Sequence, residues 1–151
     1  MAVEGFTVQL KRFADKAKGR RDQVVRKVVL EIGTSLVMKS PVGDGAYWTS
    51  PPPKGYVGGR FRANWQVGVG SINFKTTEAT DQDGGSTVGN LFAAVADQPP
   101  DQVFYLTNSL PYAKRLEEGW SHRQAPQGMV GITVLEFRNF IAKAVAEVKN
   151  E

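Results

Sequence analysis

Residues 60–70, Arg60-Phe61-Arg62-Ala63-Asn64-Trp65-Gln66-Val67-Gly68-Val69-Gly70, carry the pattern on which the fold class turns. Phe61, Ala63, Trp65, Val67 and Val69 alternate with Arg60, Arg62, Asn64, Gln66 and Gly68. A period of two puts one set on each face of a β-strand, so the stretch reads as a strand of a half-buried sheet, its arginines opposite the core. Val103 to Thr107, rich in β-formers, supplies a second strand.

Outward from these strands the period becomes helical. Phe6, Leu10, Phe13 and Ala17 are three or four apart and predict a helix over 6–18, interrupted at Gly19. A stronger helix follows from Arg20 to Lys39, with Val25, Val29, Ile32 and Leu36 in one stripe, and Pro41 ends it at Ser40. Beyond the first strand, Asn90 to Asp97 reads as a short helix, and Ser109 as the cap of another from Pro111 to Glu118. The clearest helix runs from Met129 to Lys149, where Val130, Val134, Phe137, Ile141, Val145 and Val148 keep the 3.6-residue period. The expected architecture is α+β: long N- and C-terminal helices packed on a small, mainly antiparallel sheet. It forms one domain over 1–151, with long loops at 43–59 and 76–89, the second expected to be mobile.

Composition excludes several function classes. The 151 residues contain no cysteine, which removes disulfides, thiolate metal sites and cysteine nucleophiles, and His122 is the single histidine. No apolar run reaches the roughly 18 residues of a membrane span. Lys11 and Arg12 arrive before a signal-peptide core could form, so synthesis in a cytosol is expected. The net charge of +4 is uneven: residues 1–39 hold nine Lys or Arg against four Asp or Glu. Lys11, Arg12, Lys16, Lys18, Arg20 and Arg21 make most of that excess, together with Arg26 and Lys27. Two readings of the basic segment are open: a solvated helix face, or a surface for nucleic acid or an acidic partner.

Catalytic signatures are weak. Glu117, Glu118 and His122 lie close in sequence, yet adjacent glutamates on a helix point about 100° apart. They read as a helix-end acidic pair beside a surface histidine, with a metal-dependent hydrolase as the sharper alternative. Asp81 and Asp83 before Gly84 lack the bidentate glutamate of a calcium loop. No Gly-Lys-Ser/Thr follows the glycine-rich stretches, and no Gly-x-Ser-x-Gly elbow occurs. No enzyme, cofactor or metal site is expected. Phe61 and Trp65 beside Arg60 and Arg62 hint at a base-stacking platform, but their shared face with Val67 and Val69 makes them core.

Several segments together resemble a known family. They are Ser40-Pro41-Val42-Gly43-Asp44-Gly45; Gly59 to Val67; Tyr105 to Ala113; Arg115-Leu116-Glu117-Glu118-Gly119-Trp120-Ser121; and Gln124 to Val130. In this order, from about residue 20 to the C-terminus, the chain resembles the head–tail connector or tail-completion proteins of long-tailed bacteriophages. That group includes the minor tail protein Z of phage lambda and its HK97-type relatives. Relatives pass almost directly from a Pro-Val-Asp-Thr-Gly turn to the Arg-Phe-Arg segment, whereas here residues 46–58 intervene.

The resemblance implies a structural protein of the virion neck or tail, made in the bacterial cytoplasm. It implies a homo-oligomeric ring around the DNA channel, in contact with stopper or adaptor, tail-terminator and tail-tube proteins. Phosphate contacts with channel DNA fit that setting, and no membrane enters it. The alternative is a basic DNA-binding protein that ignores sequence and has an assembly role. Interface residues expected from loop position and chemistry are Tyr47, Trp48 and Tyr56, then Arg60 and Arg62, then Glu117, Glu118, Trp120, His122 and Arg123. Lys11, Arg12, Lys16, Lys18, Arg20 and Arg21 are the expected contacts for DNA or an acidic partner.

Overall fold

The computed structural model describes residues 2–99 and 101–149, with the backbone alone for 2–18 and Tyr47. Helix α1 runs unbroken over Ala2–Lys39, where the sequence pattern predicts two helices parted at Gly19. A glycine inside a helix costs only about 1 kcal/mol against alanine, and Ala17, Lys18, Arg20 and Arg21 beside it are strong helix formers. At 1.5 Å per residue, α1 is about 57 Å long.

Its C-terminal end is tied down by side chains from the next segment. The Ser40 hydroxyl donates to the Leu36 carbonyl at 2.6 Å and accepts the Trp65 indole N–H at 2.7 Å. The Arg62 guanidinium donates to the carbonyls of Met38 at 3.2 Å, Ser40 at 2.8 Å and Gln82 at 2.6 Å. The Leu36 and Met38 carbonyls belong to the last turn of α1, Ser40 follows it, Gln82 lies in the segment before α3, and a cation suits the negative end of the helix dipole.

Residues 60–63 are not strand, which corrects the period-two reading. Arg60–Ala63 forms a helical turn, α2, and the strand β1 covers Trp65–Val69 alone. Asn64, fully buried, explains the change. Its amide donates to Arg60 O at 2.7 Å and Thr77 O at 3.0 Å, while its oxygen accepts from Thr77 N at 2.8 Å. Gly59 enters the turn at φ 106°, where a Cβ would strike the Asp81 backbone. Phe61 and Trp65 are four apart, so they reach the same core from a helical turn as readily as from a strand.

β1 pairs antiparallel with β2, Phe104–Asn108, with Trp65 opposite Asn108 and Val67 opposite Leu106. This is the small antiparallel sheet of an α+β fold, two-stranded among the described residues. Its inner face joins the core, in which Leu36, Val37, Phe61, Trp65, Leu91, Leu110, Ala125 and Met129 are buried. On its outer face, residues 71–73 cross Gly68 so closely that a Cβ there would overlap Ser71 O and Asn73 N.

The 76–89 loop is shorter than expected, because helix α3 occupies Gly85–Ala96 rather than starting at Asn90. Asp81 starts it: the buried carboxylate accepts from Gly84 N at 2.9 Å, Thr87 N at 2.7 Å and Thr87 Oγ1 at 2.6 Å. Burial pushes this carboxyl upward, but the three donors outweigh burial and hold it below the ordinary aspartate range. Helix α4 is Ala113–Glu117, and Tyr112 rather than Ser109 sits at its N-cap. A turn closed by Ala113 N to Leu110 O separates Ser109 from the helix.

The C-terminal helix is two helices, α5 at Val130–Leu135 and α6 at Phe137–Lys149. At Glu136 the amide is shared between Ile132 O and Thr133 O, which tightens the turn and breaks the run. The expected apolar stripe is also divided. Val148 is buried with Ala144, whereas Val130, Val134 and Phe137 are exposed and Thr133 is the buried residue of α5.

These elements lie on two sides of α1. Arg26 meets Gln98 O, Gly33 meets Leu91 and Leu106, and Val37 meets Gly84 on the side of the sheet and α3. Lys27 pairs with Glu147, Glu31 with Lys143, Ser35 with Thr133 and Lys39 with Glu136 on the side of α5 and α6. At 100° per residue the two sets sit about 160° apart, so α1 is the middle layer.

The Asn64 bonds predict a large effect for a small change. Asn64→Ala strands the Thr77 amide and two carbonyls in a buried site and should cost about 3 kcal/mol. Urea unfolding with an unchanged slope would measure it, and a loss under about 1 kcal/mol would contradict this account of the 60–64 turn.

Candidate functional site

The residues expected to meet a partner fall into three regions. The first is the loop 43–59. Asp44 caps a short 3-10 turn at Gly45–Tyr47 by accepting from Ala46 N at 2.9 Å. The Tyr47 side chain lies outside the described part of the structure. Trp48 and Tyr56 pack on each other, centroids 4.7 Å apart and planes tilted by 57°, and both stay partly exposed. Trp48 and Tyr56 therefore cover one face of each other and leave their outer surfaces open.

Gln124 fixes the base of this loop from a distance. Its amide oxygen accepts from Val42 N at 2.8 Å and its NH2 donates to Val42 O at 2.7 Å, as a neighbouring strand would. Gly43 and Gly58 close in behind, since a Cβ on Gly58 would overlap Gly43 O. Between the loop and Gln124 lies an open cleft of about 500 Å3, lined by Gly43, Asp44, Tyr56, Gln82 and Gln124 among others.

Arg60 and Arg62 form the second region, and both are turned to the fold's own backbone. Arg60 donates to Thr77 O at 3.1 Å and pairs with the exposed Glu78 at 2.9 Å. Arg62 holds the end of α1. Neither lies on an outer face of β1, because the residues that carry them are not in the strand.

The third region is 113–131. Helix α4 ends in a Schellman turn: Gly119, at φ 90°, donates to Leu116 O at 3.1 Å, and Trp120 N donates to Arg115 O at 3.2 Å. Glu117 then reaches across to the next helix. Its carboxylate accepts from the amides of Met129, Val130 and Gly131, each at 2.9 Å, and so caps α5 from outside. Burial raises this carboxyl, but the three amides outweigh it and hold it below the usual glutamate range. Gly128, at φ 78°, makes room, since a Cβ would overlap Glu117.

Glu117 is thus spent on structure, and the Glu117–Glu118–His122 grouping does not converge. Glu118 is exposed beside Lys114 at 3.9 Å, and His122 is exposed in the following turn. Among the described residues no three His, Asp or Glu groups gather as a metal site. Trp120 is 61% exposed, with the Arg115 guanidinium 5.0 Å from its ring centre, so it anchors no core. Arg123 is exposed nearby.

Of the basic segment, Arg21 pairs with Asp101 at 2.6 Å, Arg26 bonds to Gln98 O, and Arg20 is exposed. The side chains of Lys11, Arg12, Lys16 and Lys18 lie outside the described part. No helix among the described residues is long and apolar enough to cross a membrane. No protein-family model, curated protein or solved structure matches this chain.

The Glu117 cap was invisible to local pattern, because its donors lie twelve to fourteen residues away. It carries a signed prediction. A carboxyl held below its unfolded value contributes stability above about pH 4.3 and loses it as pH falls through the lower folded value. Glu117→Gln should destabilise by about 1–2 kcal/mol at pH 7. The gap to the wild-type chain should close below about pH 4, while Glu118→Gln, exposed beside Lys114, stays within about 0.5 kcal/mol at pH 7. Thermal unfolding from pH 3 to 8 would read it, and a pH-independent gap would contradict the cap.

Proposed function

We propose that this chain is a structural component of a long-tailed phage virion, which completes the tail and joins it to the head as a ring around the DNA channel. Its partners are copies of itself and the neighbouring neck and tail proteins. The observation that supports this most is how the family-like segments are used. Ser40, then Arg62, Asn64 and Trp65, then Asn108 come from three of the resembling segments, yet they interlock through one set of bonds around the end of α1. Glu117 does the same for the start of α5. Motifs that preserve a scaffold fit a family whose members share a shape.

The chemistry of the chain agrees with a role without bond-making. The carboxylates with a lowered pKa, Asp81 and Glu117, each accept three hydrogen bonds from helix-start donors. A carboxylate held ionised by such donors is a weaker base and is committed to the start of a helix. The exposed features are apolar side chains and loops, which suit contact with other proteins.

Removing the gene from the genome of the phage that encodes it should leave filled heads and tails that fail to join. Plaque-forming particles should fall to background and return when the wild-type gene is supplied in trans. Normal infectivity, or finished particles whose head–tail junction lacks this chain by antibody labelling, would overturn the proposal.

A further inference from the structure

The α5 helix is inside out. Thr133 is 2% exposed and bonds to Ser35 on α1 at 3.0 Å, whereas Val134 is 65% and Leu135 83% exposed. Leu135 lies about 200° round the helix from Thr133, so it points away from the molecule. Val130 and Phe137 extend this apolar surface on both sides. A second apolar surface lies on the outer face of the sheet. Tyr105 and Val103 share that face, opposite in direction to Leu106, and the 71–75 segment adds Ile72 and the 71% exposed Phe74.

The two patches lie on opposite sides of α1, since α5 packs on one side of that helix and the sheet on the other. Scaled by the full areas of such side chains, the exposures leave about 400 Å2 of apolar surface on each. That matches the largest apolar patch of a typical monomer, about 300–600 Å2 and often functional, and this chain carries two. Brought together they would bury about 800 Å2, the apolar share of a specific interface of about 1,200–1,400 Å2.

We infer that the α5 face of one copy seats on the outer sheet face and its 71–75 strap on the next copy. The contact joins two different surfaces on opposite sides of the subunit, so each added copy presents a fresh patch at either end. This specifies the self-association in the proposed function and rests on that reading for its place in a ring.

The test uses the purified full chain and two lesions. Wild-type protein at high concentration should sediment as species larger than a dimer. Val134→Glu with Leu135→Glu, and separately Phe74→Glu with Val103→Glu, should each reduce it to monomer with unchanged circular dichroism and Tm. Mixing the two variants should restore a one-to-one dimer and nothing larger, because one intact patch of each kind remains. The chain has no cysteine, so Leu135→Cys and Phe74→Cys offer a second measurement that leaves folding untouched. Oxidised together, they should give the mixed dimer in excess over either homodimer. A monomeric wild type, dimers formed by either double variant alone, or equal yields of mixed and like dimers would overturn the inference. Rings that survive both lesions would remove this surface and leave the neck reading standing. Loss of the neck reading would instead show in infectivity, with the mixed dimer still forming.

Discussion

The four carbonyls at the C-terminal end of a 38-residue helix must find donors, and the manner in which α1 finds them organises the rest of the chain. Ser40 turns back to Leu36 and in the same geometry receives the Trp65 indole. That bond fixes where β1 begins. Arg62 covers Met38 and Ser40 and also holds Gln82, which places the entry to α3. The 60–64 segment is therefore helical by necessity: only a tight turn brings Arg62 to the helix end and Trp65 to the strand within three residues. Asn64 closes that turn from inside, and Asn108 ties Phe61 O to the end of β2.

Against this joint, the surface ion pairs from α1 to α6 and to the α5–α6 junction are secondary. Lys27–Glu147, Glu31–Lys143 and Lys39–Glu136 are all partly solvated, and such pairs contribute about 0–1 kcal/mol each. Lys27 and Glu31, four residues apart on α1, meet Glu147 and Lys143, four apart on α6, so these two pairs bear on the antiparallel register of α6 more than on its stability. On the other side Gly33 governs approach. A Cβ there would lie 2.9 Å from Leu91 Cδ1 and press on Leu106, so the missing side chain lets α1 settle against α3 and the sheet. The helix gives up about 1 kcal/mol of propensity for that contact.

Fold class was legible in the sequence because the first strand and the long helices carry their periods openly and the second strand is rich in β-formers. Their limits were not. Phe61 and Trp65 satisfy a period of two and a spacing of four equally, so the choice between strand and turn rested on Asn64, whose partner Thr77 is thirteen residues on. The start of α3 was hidden for the same reason: Gly84 and Gly85 argue locally for a loop, and the carboxylate of Asp81 reverses that. Gly19 looked like a stop and is a tolerated cost. At the candidate site, Trp120 and Trp48 were found by being aromatic in loops, and both are exposed. Arg60, Arg62 and Glu117 were singled out by charge, but their charges face backbone dipoles.

The C-terminal stripe shows why the remaining functional information escaped. A 3.6-residue repeat reports that one helix face is apolar and says nothing about which surface covers it. Val148 and the adjacent Ala144 are covered by the chain itself, whereas Val130, Val134 and Phe137, earlier in the same repeat, are not. Leaving Val130, Val134 and Phe137 in water brings no stability to the single chain. Thr133 sits where an apolar residue would pack best and spends its hydroxyl on Ser35 instead. A helix that turns its threonine inward and its valines and leucine outward therefore draws its hold on α1 from the Ser35 hydroxyl and gains nothing within the single chain from its outer face.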